Sequence, residues 1–321
     1  MTSILEIRNL SVGYVGRHLI ADAVTEVDLD VESAEIFGLV GESGCGKSTL
    51  AVAVLGLIEA PGKVLSGSVK LSLKDGTVED LAEAGEEQLR KIRWNEIAYI
   101  PQGSMNALNP VLRVHRQMTD TLVEHGLNTS DATERARWAL QLVSLEPSVL
   151  DRFPHELSGG MKQRVAIATA VTLQPGILIA DEPTTALDVV TQRSILQELV
   201  QIRADFGTSI MLISHDMAVM AEIADRIAVM YAGCVAEVGR VQDIFAAPMH
   251  PYTQRLIGSI PKRTGERLEG LVGESPNIWR QPEGCRFHTR CPRAMQICTE
   301  VAPKLQMQPS KHQVSCHLYS G

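Results

Sequence analysis

Lys47 closes a glycine-rich string, Gly41-Glu42-Ser43-Gly44-Cys45-Gly46-Lys47-Ser48, that fits the pattern G-x-x-x-x-G-K-[ST]. Glycines at these positions let the backbone curl until several N–H groups point at one anion. A helix beginning at Ser48-Thr49-Leu50 would add the positive end of its dipole. Lys47 is the right cation to bridge the β- and γ-phosphates of a nucleotide, and the Ser48 hydroxyl is a ligand for Mg²⁺. The apolar run Ile36 to Val40 leads into the loop, so the string lies between a strand and a helix, the context that phosphate binding requires. Ser43, Gly44, Cys45, Gly46 and Thr49 complete the candidate nucleotide-binding set, with Cys45 a passive member of the loop.

Two adjacent acids end another apolar strand, Ile177-Leu178-Ile179-Ala180-Asp181-Glu182. Neighbouring strand residues point to opposite faces, so the two acids have different tasks. Asp181 fits a magnesium shell, and Glu182, just past the strand, fits a base that polarises an attacking water. A third strand, Ile210 to Ile213, ends at Ser214-His215-Asp216. Parallel strands deliver their C-terminal ends to one edge of a sheet, which brings His215 toward the γ-phosphate. Gln102 follows the strand Glu96–Ile100 and joins the same edge, where it can contact Mg²⁺ or water.

Away from these strands, Leu157-Ser158-Gly159-Gly160-Met161-Lys162-Gln163-Arg164 precedes a helical run to Leu173. Ser158 suits its N-cap, and the exposed glycines Gly159 and Gly160 let a phosphate approach the helix end. Near the C-terminus, Cys285, Cys291, Cys298 and Cys316 are spaced C-x5-C-x6-C-x17-C. Four thiolates suit tetrahedral zinc or an iron–sulfur cluster. The spacings are more open than a zinc knuckle and favour a bulkier cluster, while His288, His312 and His317 lie close enough in sequence to act as alternative ligands.

The elements that must position these residues follow from periodicity. Residues 4–12, 24–31 and 64–74 read as strands, with Val27, Leu29 and Val31 alternating against Asp28 and Asp30. Residues 75–87 form an acidic surface excursion. From 103 to 174 strand patterns vanish, and Ala136, Ala139, Leu140 and Val143 fall at helical spacing, so this span is a mostly helical insert. Strands return at 177–181, 209–214 and 226–231. Between the first two lies a helix with Ile195, Leu196, Leu199 and Ile202 on one face. Alternating strands and helices imply an α/β fold with a mainly parallel sheet. Beyond about residue 255 the chain becomes rich in Pro and Gly with weak periodicity, which divides it into a domain 1–255 and a C-terminal module 256–321.

Bulk properties narrow the function. The 321 residues are 45% hydrophobic and 21% charged, with a formal net charge of −8. Such a chain buries a core without metal or disulfide staples, and its acidic balance argues against a nucleic-acid partner. The N-terminus has no signal-peptide pattern, and the longest apolar run, Val165 to Ala180, is broken by Gln174-Pro175-Gly176. The expected location is the cytoplasm, with other subunits supplying any membrane part.

Taken together, the ordered motifs resemble those of the ABC transporter ATPases over about residues 4–250. The resemblance makes Leu157–Arg164 the family signature, Tyr14 the adenine-stacking aromatic, Gln102 the Q-loop, Ala186-Leu187-Asp188 the D-loop and His215 the switch histidine. It implies a P-loop ATPase domain with an antiparallel N-terminal β part, a parallel core and a helical subdomain. It further implies ATP and Mg²⁺ as ligands. The catalytic set is then Glu182, His215 and Gln102, the metal set is Ser48, Gln102 and Asp181, and Ser158, Gly159 and Gly160 reach across a head-to-tail dimer to the partner's ATP. A narrower resemblance, to the D-type ATPases of dipeptide and oligopeptide importers, rests on Ser104–Pro110, on His250-Pro251-Tyr252-Thr253 and on the segment from Gly284 through Cys298. It implies peptide cargo, with nickel or sugar as alternatives. The implied partners are a second ABC ATPase, two transmembrane permease subunits and an extracytoplasmic substrate-binding protein, with the chain peripheral on the cytoplasmic membrane face. In some members of that family the tail is associated with a [4Fe–4S] cluster. The competing reading, a soluble ABC ATPase acting on nucleic acid or ribosomes, meets a chain with one cassette, no charged arm and an acidic balance.

Overall fold

The computed structural model describes residues 2–17, 19–104, 107–260, 273–308 and 312–319. In chain order the strands and helices are β1 (Ser3–Val15), β2 (Ile20–Glu32), β3 (Ile36–Val40), α1 (Lys47–Val54), β4 (Gly62–Ser72), β5 (Val78–Asp80), α2 (Glu86–Ile92) and β6 (Ile97–Ile100). The helical insert follows as α3 (Val114–Glu124), α4 (Thr129–Leu142) and α5 (Gly159–Val171). Next come β7 (Ile177–Asp181), α6 (Val189–Phe206), β8 (Ser209–Ser214), α7 (Met217–Ile223), β9 (Arg226–Tyr231) and β10 (Cys234–Arg240). The chain ends with α8 (Val241–Ala246), α9 (Pro251–Gly258), α10 (Ile297–Glu300), β11 (Gln306–Met307) and β12 (Gln313–Val314).

Two sheets organise the molecule. The first is antiparallel, in the order β2-β1-β4-β5; the second runs β11-β12-β10-β9-β3-β8-β7-β6. Within the second, β9, β3, β8, β7 and β6 pair in parallel. Every residue of β3, β7 and β8 is buried, which is why they read as continuous apolar runs rather than alternating ones. Their side chains still alternate in destination. Phe37, Leu39, Ile177, Ile179, Met211 and Ile213 pack toward the antiparallel sheet and α1. Ile36, Val40, Leu178, Ala180, Ile210 and Leu212 pack toward the helices of the other face. The parallel strands are therefore pinned in register from both sides, since a one-residue slip would exchange the two cores.

The long strands exceed the sequence expectation because β1 and β2 form one antiparallel hairpin continuing past the apolar stretches. The acidic excursion is partly ordered: β5 pairs with β4, and the first residues of α2 fall at its end, with Leu81, Leu89 and Ile92 buried beneath. β10 escaped periodicity analysis, since Cys234–Arg240 is nearly all buried and its pattern is set by neighbours on both sides. The division at residue 255 marks a change of sequence character, yet hydrogen bonding runs across it: β12 pairs with β10, Glu237 opposite Val314.

Glu237 is the polar centre of that junction. It is fully buried and accepts the N–H groups of Met249 (2.7 Å) and His250 (3.0 Å), and His312 Nε2 lies 2.6 Å from its Oε1. Burial drives His250 down to about 4, so its ring is neutral and its Nδ1 accepts the Tyr252 N–H at 3.0 Å. Removing the Glu237 carboxylate would strand buried donors on two segments at once. Glu237→Ala should cost about 3 kcal/mol of unfolding free energy, the scale for breaking a buried pair by deleting one member. Urea denaturation of the purified chain checks this, and a loss below about 1 kcal/mol would mean that the junction does not depend on the acid.

Candidate functional site

The C-terminal edge of the parallel sheet gathers the sequence-selected residues. The loop 41–46 leaves β3, Gln102 follows β6, Glu182 follows β7 and His215 follows β8. Two glycines of the loop are sterically required. Gly46 stands at φ 103, where a Cβ would lie 2.4 Å from the Ala23 carbonyl oxygen; a Cβ on Gly41 would lie 2.2 Å from that of Met230. Lys47 is buried, and its Nζ donates to the carbonyls of Gly41 (2.9 Å) and Glu42 (3.0 Å). Its charge is thus held against the carbonyls of its own loop. Burial pushes the Cys45 thiol up against the opposing pull of Lys47, so Cys45 is a neutral packing residue of the loop. Tyr14 ends the β1–β2 hairpin with its hydroxyl 3.3 Å from Thr49 Oγ1, which puts the ring beside α1.

The two acids do have separate surroundings. Asp181 is buried at the end of β7, where its Oδ2 accepts from the Tyr99 hydroxyl at 3.3 Å and its Oδ1 meets no donor at hydrogen-bonding geometry among the described residues. Burial pushes its carboxyl up, opposed by Ser48, Tyr99 and the charge of Lys47. A buried carboxylate oxygen with no donor, beside the Ser48 hydroxyl, fits a hard cation with oxygen ligands such as Mg²⁺.

Glu182 is different. Its backbone is left-handed (φ 47), a strained conformation for a residue with a Cβ, and its N–H is tied to the Ile213 carbonyl at 2.9 Å. The carboxylate accepts from Gln102 Nε2 (3.1 Å), from Thr185 Oγ1 (3.0 Å) and from His215 Nδ1 (2.9 Å). Burial raises its carboxyl, but the hydrogen bonds from His215 and Thr185 and the charges of His215 and Lys47 win, and the net shift is downward. Glu182 is therefore ionised at neutral pH, as a water-polarising base must be. Gln102, Glu182 and His215 come from three different strands and meet in one hydrogen-bonded cluster.

Ser158 caps α5 by accepting the Met161 N–H at 3.3 Å, and Ser158 and Gly159 are exposed. Its helix links to the Q-loop through Ser104 Oγ, which donates to Gln163 Oε1 at 2.5 Å; both residues are buried. Asp188 caps α6 by accepting from Val190 and Thr191. Met105 and Asn106 of the Ser104–Pro110 string lie outside the described residues. Tyr99 and Thr185 have no signature in the sequence, and Gln163 stands there only as a member of the Leu157–Arg164 string; Tyr99 and Gln163 act through partners on other elements, and Thr185 through Glu182 in its own loop.

The four tail cysteines are free thiols, within electrostatic reach of one another. Each sulfur accepts a backbone N–H: Cys285 from Phe287, Cys291 from Arg293 (3.4 Å), Cys298 from Met295 (3.5 Å) and Cys316 from Leu318. Burial pushes the Cys285 thiol up to about 11. Among the described residues no group of three or more His, Cys, Asp or Glu side chains stands in position to hold a metal ion.

Comparison with known proteins agrees with this edge. The ABC transporter family model matches residues 24–185. Bacillus subtilis "Oligopeptide transport ATP-binding protein AppD" is 42% identical, the alignment covering 99% of this chain and 98% of the relative. The chain belongs to the ABC transporter ATPases. A second model, the C-terminal region of oligopeptide/dipeptide transporters, matches residues 236–298. Escherichia coli "Oligopeptide transport ATP-binding protein OppD" is 38% identical over 96% of this chain and 91% of the relative. Among solved structures, the dimeric ABC cassette MJ0796 bound to ADP and Pi superposes with a TM-score of 0.65 at 28% identity, covering 74% of this chain and 98% of that one. ATP hydrolysis is accordingly the activity of this ABC ATPase.

If Glu182 polarises the attacking water, Glu182→Gln should keep ATP bound and lower turnover at least about 100-fold, since it preserves shape and removes the base. Steady-state ATPase and nucleotide retention, measured together, check this. Near-normal turnover would remove Glu182 from the catalytic role.

Proposed function

We propose that this ABC ATPase is one of two different nucleotide-hydrolysing subunits of a peptide importer, seated on the cytoplasmic membrane face beneath two permease subunits served by an extracytoplasmic binding protein. The observation that carries the motor reading is the Gln102–Glu182–His215 cluster beside the phosphate loop. Peptide as cargo is supported by the C-terminal match and by the names of the relatives that align over nearly the whole chain. Among the described residues no helix is long and apolar enough to cross a membrane, so attachment falls to the permeases. A mostly apolar cleft of about 380 Å³, lined by Leu55, Trp94, Tyr99, Pro101, Leu108 and Ala166, lies between β6 and the helical insert. It adjoins Gln102 and suits an apolar element of a permease.

In this reading the loop amides and Lys47 bind the β- and γ-phosphates, and Tyr14 stacks on adenine. Ser48 and Asp181, with Gln102 in reach, hold Mg²⁺, which neutralises phosphate charge when bound. Glu182 orients and polarises water, and His215 holds Glu182 in place while facing the γ-phosphate. Ser158, Gly159 and Gly160 serve the ATP of the partner ATPase. Support comes from the exposure of Ser158 and Gly159 at a helix start, where a phosphate is favoured, and from the dimer seen in the MJ0796 cassette. The assignment separates two mutants. Lys47→Ala should weaken ATP binding to the isolated subunit, while Ser158→Ala should leave that binding nearly intact and abolish ATP-driven association of the assembled pair. Equal loss of binding in the isolated subunit from both changes would contradict action across the dimer.

For the tail, we propose that Cys285, Cys291, Cys298 and Cys316 hold one [4Fe–4S] cluster, with zinc the alternative. The support is the soft donor set, its concentration in one short segment of the tail and the N–H received by each sulfur, a feature that stabilises thiolate ligands; the side chains as they stand are not gathered about one point. Anaerobically purified protein should contain about four irons per chain and absorb broadly near 400 nm. Replacing any one of the four should bleach it, whereas Cys45→Ser and Cys234→Ser should not. Colourless protein with one zinc per chain would install zinc instead, and the absence of both metals would remove the site.

A further inference from the structure

The phosphate loop carries an acid that its chemistry does not ask for. Glu42 follows Gly41, and a free carboxylate there would repel a polyphosphate and compete with it for Lys47. The structure disposes of this charge from far along the chain. Arg290, from the segment Cys285–Cys291, donates from Nη1 to Glu42 Oε2 at 2.7 Å and from Nη2 to Oε1 at 3.0 Å. The Arg290 side chain is only 5% exposed, and its Nη1 also reaches the Tyr231 hydroxyl at 3.2 Å. Ser275 Oγ adds a third donor to Glu42 at 2.6 Å, and the Glu42 N–H donates to the Tyr252 hydroxyl at 3.0 Å. Burial alone would raise the Glu42 carboxyl, but Arg290, Ser275 and Lys47 outweigh it and hold it below its usual range.

The same tail segment grips the ground around the loop. Arg286 donates to the Ala232 carbonyl and to Thr25 Oγ1 (2.8 Å), next to Gly233, whose N–H holds the Cys45 carbonyl at 2.8 Å. Phe287 packs against Tyr231 (centroids 5.1 Å apart) and Tyr252 (5.4 Å) directly below Glu42. A planar, two-pronged guanidinium fixes a carboxylate in orientation as well as charge.

We propose that Arg290 is a positioning residue for ATP binding: from the cysteine-bearing tail it takes up the Glu42 carboxylate, orients the phosphate loop and leaves the charge of Lys47 to the nucleotide. The proposal rests on the assignment of residues 41–48 as the phosphate site. Because Arg290 immediately precedes Cys291, whatever organises the four thiols also places the guanidinium, which ties the tail to nucleotide affinity.

The test is a double-mutant cycle in the assembled transporter, reading KM for ATP and kcat separately. Arg290→Ala should raise KM about tenfold with a much smaller change in kcat, because it exposes an unpaired acid to the phosphates. Adding Glu42→Gln to that variant should bring KM back to within about threefold of the starting protein, since the repelling charge is gone. A purely architectural role for the tail predicts no such rescue. If Arg290→Ala fails to assemble, Arg290→Lys is read instead. It keeps the charge and loses the fork, and should raise KM about threefold, again reversed by Glu42→Gln. An Arg290 variant with unchanged KM, or a double variant as weak as the single one, overturns the proposal. Lys47→Ala is the control for the underlying assignment: if it leaves nucleotide affinity intact, the phosphate-site reading fails and not the Arg290 latch alone.

Discussion

The burial of β3, β7 and β8 on both faces is the constraint on which the rest depends. Five parallel strands are clamped between an antiparallel sheet with α1 on one side and the insert helices with α6 and α7 on the other. Nothing in such a sheet can shift without exchanging two apolar cores. Its C-terminal edge is therefore a rigid line from which loops depart at fixed spacing. The phosphate loop, Gln102, Glu182 and His215 each occupy the first positions after a strand, where the backbone is still held by the sheet. The pairing extends one residue further at Glu182, whose N–H reaches the Ile213 carbonyl while its own φ turns positive. That local strain is sustained because the sheet on one side and three side-chain donors on the other leave the residue no other arrangement.

Electrostatics along this edge follows a division of labour. Asp181, buried and lacking a donor on one oxygen, is suited to a cation. Glu182, held ionised by His215 and Thr185, is suited to water. Lys47 is buried against the carbonyls of its own loop, and Glu42 is withdrawn by Arg290. Three acids, a lysine and a histidine thus coexist beside the phosphate loop, with Glu182 and Glu42 each bonded by side chains from distant parts of the chain.

The C-terminal segment belongs to this arrangement more closely than its composition implies. Its strand β12 extends the main sheet, Glu237 bonds to Met249 and His250 and lies against His312 beyond residue 255, and the segment between Cys285 and Cys291 supplies three side chains to the underside of the phosphate loop. In the other direction, Ser104 and Gln163 join the Q-loop to the helix that Ser158 caps. The nucleotide edge is thereby connected both to the thiol-bearing tail and to the exposed serine end of the insert.

Much of the site was legible in the sequence because its chemistry is local. The glycine loop needs no partner to be recognised, and neither does a carboxylate pair ending an apolar run, a serine-glycine helix start or a histidine after a strand. The limits of β3, β6, β7, β8 and β9 followed from apolar runs that parallel strands buried on both faces must have. Other features had no local signature. β10 is defined by its neighbours, and α2 and β5 lie in a largely exposed, acidic stretch with little apolar patterning. Tyr99, Gln163 and Arg290 act only through residues many positions away, and a hydrogen bond across such a separation leaves no periodicity in the chain. The sequence alone determined which groups could bind and cleave a nucleotide. Tertiary structure decided which acid is ionised against a histidine, which is left for a cation, and that the loop's own glutamate is silenced by an arginine some 250 residues later, because those outcomes depend on distance and burial rather than on order along the chain.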